Sequence, residues 1–146
     1  MDIVEEPIYH ISINKTNMIY YKNNKYHRDN NLPAYIRFNE DELFDEAYYI
    51  DGKLHRTDGP AKIYFNDRVE YWINGQLHKT DGPAIIYNNG TVEYWINGKR
   101  HRTDGPAIHN DEIIVYYIEG KRHKTDGPAK IHQNGTVEYW INGQLH

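Results

Sequence analysis

At 146 residues the chain has room for one domain, and its 38 % apolar and 26 % charged content is that of a soluble globular protein. A net charge of −4 argues against a nucleic-acid binder, and the lack of cysteine removes disulfides and thiolate metal sites, which permits a reducing compartment. No apolar stretch approaches the ~20 residues of a membrane span, and the acidic opening Met1-Asp2-Ile3-Val4-Glu5-Glu6 is unlike a secretory signal, so a cytoplasmic protein with no membrane partner is expected.

In chain order, Tyr20 to Arg28 reads as a first hairpin turning at Asn23-Asn24, and Asn31-Leu32-Pro33-Ala34 closes it. The stretch 39–46, Asn39 to Glu46, is acidic and reads as an insertion forming a protruding loop within a divergent N-terminal capping unit, residues 1–46. From 47 to 146 one unit is written four times, with a fifth copy cut short. It starts at Tyr48, Tyr71, Tyr94, Tyr116 and Tyr139, at steps of 23, 23, 22 and 23 residues, and such a fixed period marks a repeat architecture. Within a unit, Val69-Glu70-Tyr71-Trp72-Ile73 is β-branched and aromatic and runs into Asn74-Gly75, the strongest signal for a two-residue type I′ hairpin. That turn puts Ile73 opposite Gln76, Trp72 opposite Leu77, Tyr71 opposite His78 and Glu70 opposite Lys79; in the next unit Trp95 faces Arg100 and Glu93 faces Arg102. Thr-Asp-Gly-Pro then breaks the ladder, with an unusual φ expected at Gly82, and Ala84-Ile85-Ile86-Tyr87 forms a third short strand before the Asn88-Asn89-Gly90 turn. The fold class is therefore all-β, an elongated antiparallel array of hairpin repeats.

Alternation places Val69, Tyr71, Ile73 and His78 on one face and Glu70, Trp72, Leu77 and Lys79 on the other. The first set is richer in β-branched residues and is taken as the inner one; the aromatic column of the second set has two assignments, wetter face or sheet interior. On the wetter face, Tyr49, Trp72, Trp95, Tyr117 and Trp140, flanked by Lys79, Arg100, Arg102 and Arg122, form a patch of the composition that recognition hot spots favour. Arg100 and Arg122, opposite Trp95 and Tyr117, have the alternative role of cation–π staples. The column His27, His55, His78, His101, His123 and His146 recurs in every unit, which suits a structural element closing the loop onto Asp or a carbonyl. Units ~10 Å apart are too far for neighbouring His to share one ion. A single Asp per unit (Asp58, Asp81, Asp104, Asp126) falls short of the oxygens that calcium requires, so these read as turn residues. No catalytic or metal-ligating residue and no cofactor is assigned.

The unit resembles a variant of the MORN repeat in its Tyr71-Trp72, Asn74-Gly75 and His78, and in Tyr94-Trp95, Asn97-Gly98 and His101. It departs in having Lys/Arg-Thr-Asp-Gly-Pro-Ala after the His, a form similar to arrays in phage, bacterial and giant-virus proteins. The resemblance implies an elongated antiparallel β structure used for protein interaction and self-association. A non-enzymatic scaffold is expected, binding another protein through the aromatic and charged face and self-associating through its C-terminal edge. A phage or viral antagonist of a host factor, in the host cytoplasm, would fit that description. The alternative is a protein that sequesters a small anionic ligand or nucleotide between the Trp and Arg columns, and several equivalent sites per chain would favour it.

Overall fold

The computed structural model describes residues 9–39 and 42–146, so the opening segment Met1 to Glu6, and Glu40 and Asp41 of the acidic insertion, lie outside the described residues. The chain is an antiparallel β repeat array. Twelve strands pair in one linear path, from His10–Ile13, Asn17–Lys22, Tyr35–Asn39 and Glu42–Ala47 through Lys62–Tyr64, Val69–Glu70, Ile85–Ile86, Val92–Glu93, Ile108–His109, Ile113–Val115 and Lys130–His132 to Val137–Glu138, while Lys25–Tyr26 pairs back on the second strand. At about 4.8 Å per strand this sheet is on the order of 50 Å across. Beside it stand five separate hairpins, one per unit: Tyr49–Ile50 with Lys53–Leu54, Trp72–Ile73 with Gln76–Leu77, Trp95–Ile96 with Lys99–Arg100, Tyr117–Ile118 with Lys121–Arg122, and Trp140–Ile141 with Gln144–Leu145. Among the described residues no helix is long and apolar enough to cross a membrane.

The hairpin register agrees with the turn chemistry: Trp72 pairs with Leu77, Ile73 with Gln76 and Trp95 with Arg100. Both central turn residues take positive φ, 51° and 79° at Asn74-Gly75, and even Glu119 is held at 50°. The expected continuation to Glu70–Lys79 and Glu93–Arg102 does not occur. The strand breaks at Tyr71, and Glu70 enters the long sheet between Lys62 and Ile85, just as Glu93 pairs with Ile85 and Ile108. Tyr71 is the corner residue. Its N–H donates to the Ala84 carbonyl in the sheet at 2.8 Å, and its own carbonyl accepts the His78 N–H of the hairpin at 3.1 Å. Tyr48, Tyr94 and Tyr116 repeat this with Ala61, Ala107 and Ala129.

The corner requires a small residue, because sheet and hairpin backbones converge on it. Ala34, Ala61, Ala84, Ala107 and Ala129 are all fully buried, and this alanine column, with Ala47, Ile85 and Val115, is the core. The inner face expected for Val69, Tyr71, Ile73 and His78 is therefore corrected: all four are half-buried, whereas Glu70 of the supposed wetter face is 4 % exposed. A bend between Glu70 and Trp72 defeats a face assignment that runs straight through it.

Successive hairpins are also bonded to one another. Gly75 N–H donates to Leu54 O at 2.8 Å and Arg56 N–H to Trp72 O at 3.1 Å, and the pattern recurs at Gly98, Gly120 and Gly143. The histidines complete this joint: Nδ1 of His55, His78, His101 and His123 accepts the backbone N–H of Asn74, Asn97, Glu119 and Asn142 at 3.1–3.2 Å. In these four units the partner is thus the turn of the next unit rather than the Asp three residues on or a backbone carbonyl, because the His ring lies where the following left-handed turn exposes an unbonded donor. In the N-terminal unit His27 does meet carboxylates, with Nε2 2.8 Å from Asp29 Oδ1 and Nδ1 3.0 Å from Asp51 Oδ1.

Residues 42–46 of the acidic stretch, expected as a loop, fall within the strand Glu42–Ala47, which pairs with Tyr35–Asn39 on one side and Lys62–Tyr64 on the other. The extra residues lengthen a sheet hairpin, with a register shift between Arg37 and Phe38, and Asp45 is held there by Arg37.

Gly59, Gly82, Gly105 and Gly127 do not have positive φ, which corrects the expectation for Gly82. At three of them space is short: a Cβ would lie 2.9 Å from Arg102 Cζ at Gly105, 3.1 Å from Arg56 Cζ at Gly59 and 3.1 Å from Lys79 Nζ at Gly82, whereas at Gly127 the nearest atom, Lys124 Nζ, is at an ordinary 3.5 Å.

Candidate functional site

The aromatic residues at the first hairpin position, Tyr49, Trp72, Trp95, Tyr117 and Trp140, occupy equivalent places in five hydrogen-bonded hairpins and are all half-buried. Each Trp is held by its indole N–H, which donates to the carboxylate two residues earlier: Trp72 to Glu70 at 2.9 Å, Trp95 to Glu93 at 3.0 Å and Trp140 to Glu138 at 2.8 Å. Where the aromatic is Tyr the carboxylate is absent, with Ala47 before Tyr49 and Val115 before Tyr117. The sequence thus carries a visible signal for these anchoring glutamates, of which Glu70 and Glu93 are buried: a Glu that comes and goes with Trp, which the hydrophobic pattern alone passes over.

The carboxylates are hubs. Glu70 also receives the Tyr64 hydroxyl at 3.2 Å and the Arg68 guanidinium; Glu93 receives Tyr87 at 3.2 Å and Arg100 Nε at 3.0 Å. Glu138 receives Lys130 Nζ at 2.7 Å and has Arg122 Nη1 at 3.6 Å. From here the guanidiniums reach over the rings, Arg100 at 4.9 Å from the Trp95 centroid and 5.7 Å from Tyr117, and Arg122 at 4.8 Å from Trp140. Arg122 meets Tyr117 differently from the expected staple, donating from Nε to its hydroxyl at 3.3 Å.

Lys79 and Arg102 belong elsewhere. They stack on the corner tyrosines, Lys79 Nζ 4.4 Å from the Tyr71 centroid and Arg102 Cζ 4.0 Å from that of Tyr94, and they pair with Asp81 and Asp104. Arg102 Nη1 also donates to Pro106 O at 3.3 Å. The nine residues singled out in the sequence therefore divide into a hairpin row of seven and two cations on the Thr-Asp-Gly-Pro side. On that side, consecutive loops leave three equivalent clefts of about 400, 510 and 350 Å³. The largest lies between the loops of Lys79–Gly82 and Arg102–Asp104, over Tyr94, Ile96 and His101.

Two carboxylates titrate far from their ordinary range. Hydrogen bonds from Lys130 and from the Trp140 indole lower Glu138 from 4.5 to about 2, and hydrogen bonds from His27, Tyr9 and Lys22 lower Asp29 from 3.8 to about 2. The unfolded chain binds these protons first as pH falls. The stability they contribute is complete above about pH 5 and is lost progressively between about pH 4.5 and pH 2. Urea midpoints measured across that range should fall for the wild type, and the fall should be smaller for Asp29→Asn with Glu138→Gln; an unchanged slope in the double variant would show that other groups control acid unfolding.

Compared with protein-family models and with curated proteins, the chain matches none.

Proposed function

We propose that the chain is a non-enzymatic repeat scaffold, of the MORN-variant kind its repeat unit resembles, which binds another protein through the hairpin row. The observation that carries this is a file of five aromatics, about 10 Å from unit to unit, half-exposed, of which the three Trp are locked by Glu–indole bonds and Tyr117 by Arg100 and Arg122, while Tyr49 packs edge to face on Tyr26. Rigid aromatics beside arginine lose little conformational freedom on binding, which is why such residues dominate interface energetics. Self-association is a further part of the proposal, and Val137, Tyr139 and Leu145 of the last unit are among its most exposed apolar residues.

The small-anion reading has the three equivalent clefts in its favour, but the cations it needs are committed. Arg100 and Arg122 face Glu93 and Glu138, and Lys79 and Arg102 face Asp81 and Asp104.

Trp72→Ser with Trp95→Ser tests the protein-binding reading. Both rings are half-buried, so we expect a cost of roughly 2 kcal/mol each, below the 3–5 of a fully buried Trp, and a chain that still folds. Retention of partner proteins on the immobilised chain should then be lost, while Asp81→Ala with Asp104→Ala retains it. A folded Trp double variant that keeps the same partners would reject the row as the interface, and light scattering across concentration reads the self-association separately.

A further inference from the structure

One cleft differs in its lining from the three Thr-Asp-Gly-Pro clefts. It holds about 410 Å³, within the range of small-molecule sites, and lies where the N-terminal strands meet the first hairpin. Tyr26, Tyr35, Tyr49 and Tyr64 wall it and Lys62 reaches into it; Tyr26 and Tyr49 meet edge to face with centroids 5.2 Å apart. These tyrosines come from four different strands, so no motif announces them.

Lys62 is the unusual member. It occupies the same place in its unit as Lys130, directly after the core alanine and paired across the sheet with the hub glutamate, Lys62 with Glu70 and Lys130 with Glu138. Lys130 bonds its glutamate at 2.7 Å. Lys62 makes no ion pair among the described residues, because Arg68 occupies Glu70; the residue equivalent to Arg68 in the later units is Thr91, Ile113 or Thr136. The Lys62 ammonium lies instead 4.5 Å from the Tyr64 centroid. Its burial opposes the charge, but the neighbouring Tyr64 and the attraction of Glu70 outweigh that and hold its pKa above the ordinary value. The other charges on the lining are engaged: Arg37 pairs with Asp45, and Glu46 accepts the Tyr48 hydroxyl at 2.9 Å.

We propose that this cleft binds a small planar anion, an aromatic ring bearing one phosphate or carboxylate, with the ring against the tyrosines and the anionic group on the Lys62 ammonium. The tyrosine rings give flat apolar walls, and the ammonium is a cation whose protein partner has been taken by a neighbour. The Tyr49 hydroxyl, without a hydrogen-bond partner among the described residues, adds a donor. Nothing here depends on the aromatic row binding a protein.

Calorimetric titration of the full chain with adenosine 5′-monophosphate and with phenyl phosphate tests this, with adenosine and inorganic phosphate as half-probes. We expect one site per chain for the two whole probes and binding at least about tenfold weaker for each half, since ring and anion contribute separately. Lys62→Met should weaken binding by roughly tenfold or more, the scale of one charge-assisted hydrogen bond, and Lys62→Arg should preserve much of it. Arg68→Thr is the sharper variant: Arg68 does not line the cleft, although its guanidinium lies 4.9 Å from the Tyr64 centroid, and its loss frees Glu70, so Lys62 should turn to it as Lys130 does to Glu138, and affinity should drop to the Lys62→Met level. It also decides the matter if Lys62→Met fails to fold. The proposal is overturned by a lack of saturable binding of either whole probe at millimolar concentration, by undiminished binding in Arg68→Thr, by inorganic phosphate binding as tightly as phenyl phosphate, or by three sites per chain, which would place the ligand in the Thr-Asp-Gly-Pro clefts.

Discussion

Glu93→Val should be among the most damaging single changes in this chain, at about 3 kcal/mol. The carboxylate is 8 % exposed and holds three groups at once: the Trp95 indole at 3.0 Å, the Tyr87 hydroxyl at 3.2 Å and Arg100 Nε at 3.0 Å. Removing it strands a partly buried guanidinium and two polar hydrogens, and breaking a buried pair in this way costs on the order of 3–5 kcal/mol. The low end applies because Arg100 is about a third exposed. The protein also contains the remedy. At Val115 the same position is apolar and 3 % exposed, and there the following aromatic is Tyr117, whose hydroxyl takes Arg122 Nε. Adding Trp95→Tyr to Glu93→Val therefore reproduces an arrangement the array already uses, and should recover a good part of the loss. A double-mutant cycle by urea unfolding measures this, with a coupling of more than about 1 kcal/mol expected. Additive effects would show that the glutamate and the indole are independent and that the row is not held as described.

Enlarging the core alanine is the second large effect. Ala84 is completely buried where the sheet and hairpin backbones meet, its carbonyl bonded by Tyr71 N–H at 2.8 Å and its own N–H bonded to Glu93 O at 2.8 Å. Neither strand can retreat without breaking one of these bonds. Ala84→Leu should cost about 3 kcal/mol or more, the upper part of the range for overpacking a filled core, while Ala84→Gly should cost roughly 1 kcal/mol through lost packing and added chain freedom. Thermal melts of both variants check the pair. A leucine tolerated within about 0.5 kcal/mol would mean that the corner is loose and that the core lies elsewhere.

The hairpins were legible because an Asn-Gly or Asp-Gly step fixes both its turn type and its register, so Trp72–Leu77 and Trp95–Arg100 follow from local chemistry alone. The bend at Tyr71 was not legible. A period-two pattern through Val69 to Ile73, with Glu70 set opposite Lys79, imitates one continuous strand, and only the bond from Tyr71 to Ala84, thirteen residues on, divides it. For the same reason the aromatic column was found while its anchoring was missed. Hydrophobicity assigns Glu70 and Glu93 to water, and their burial depends on partners brought in from neighbouring strands. Lys79 and Arg102 were grouped with the row by spacing, but the chain turns between them and it.

The joint between hairpins is made wholly of nearest-neighbour bonds: Leu54 O takes Gly75 N–H, and His55 Nδ1 takes Asn74 N–H. Leu77 and His78 offer the same pair of acceptors to Gly98 and Asn97. Every interior unit thus presents to the next the same contact it received from the last, so cooperativity in this molecule is one-dimensional. A lesion is felt at its two adjoining joints and fades beyond them, and opening can spread unit by unit instead of passing through a single all-or-none step. It also makes the unit an exchangeable module. Residues 71–93 could be spliced out or duplicated in frame with each joint keeping its kind, so the length of the aromatic row can be changed without redesigning any part of it.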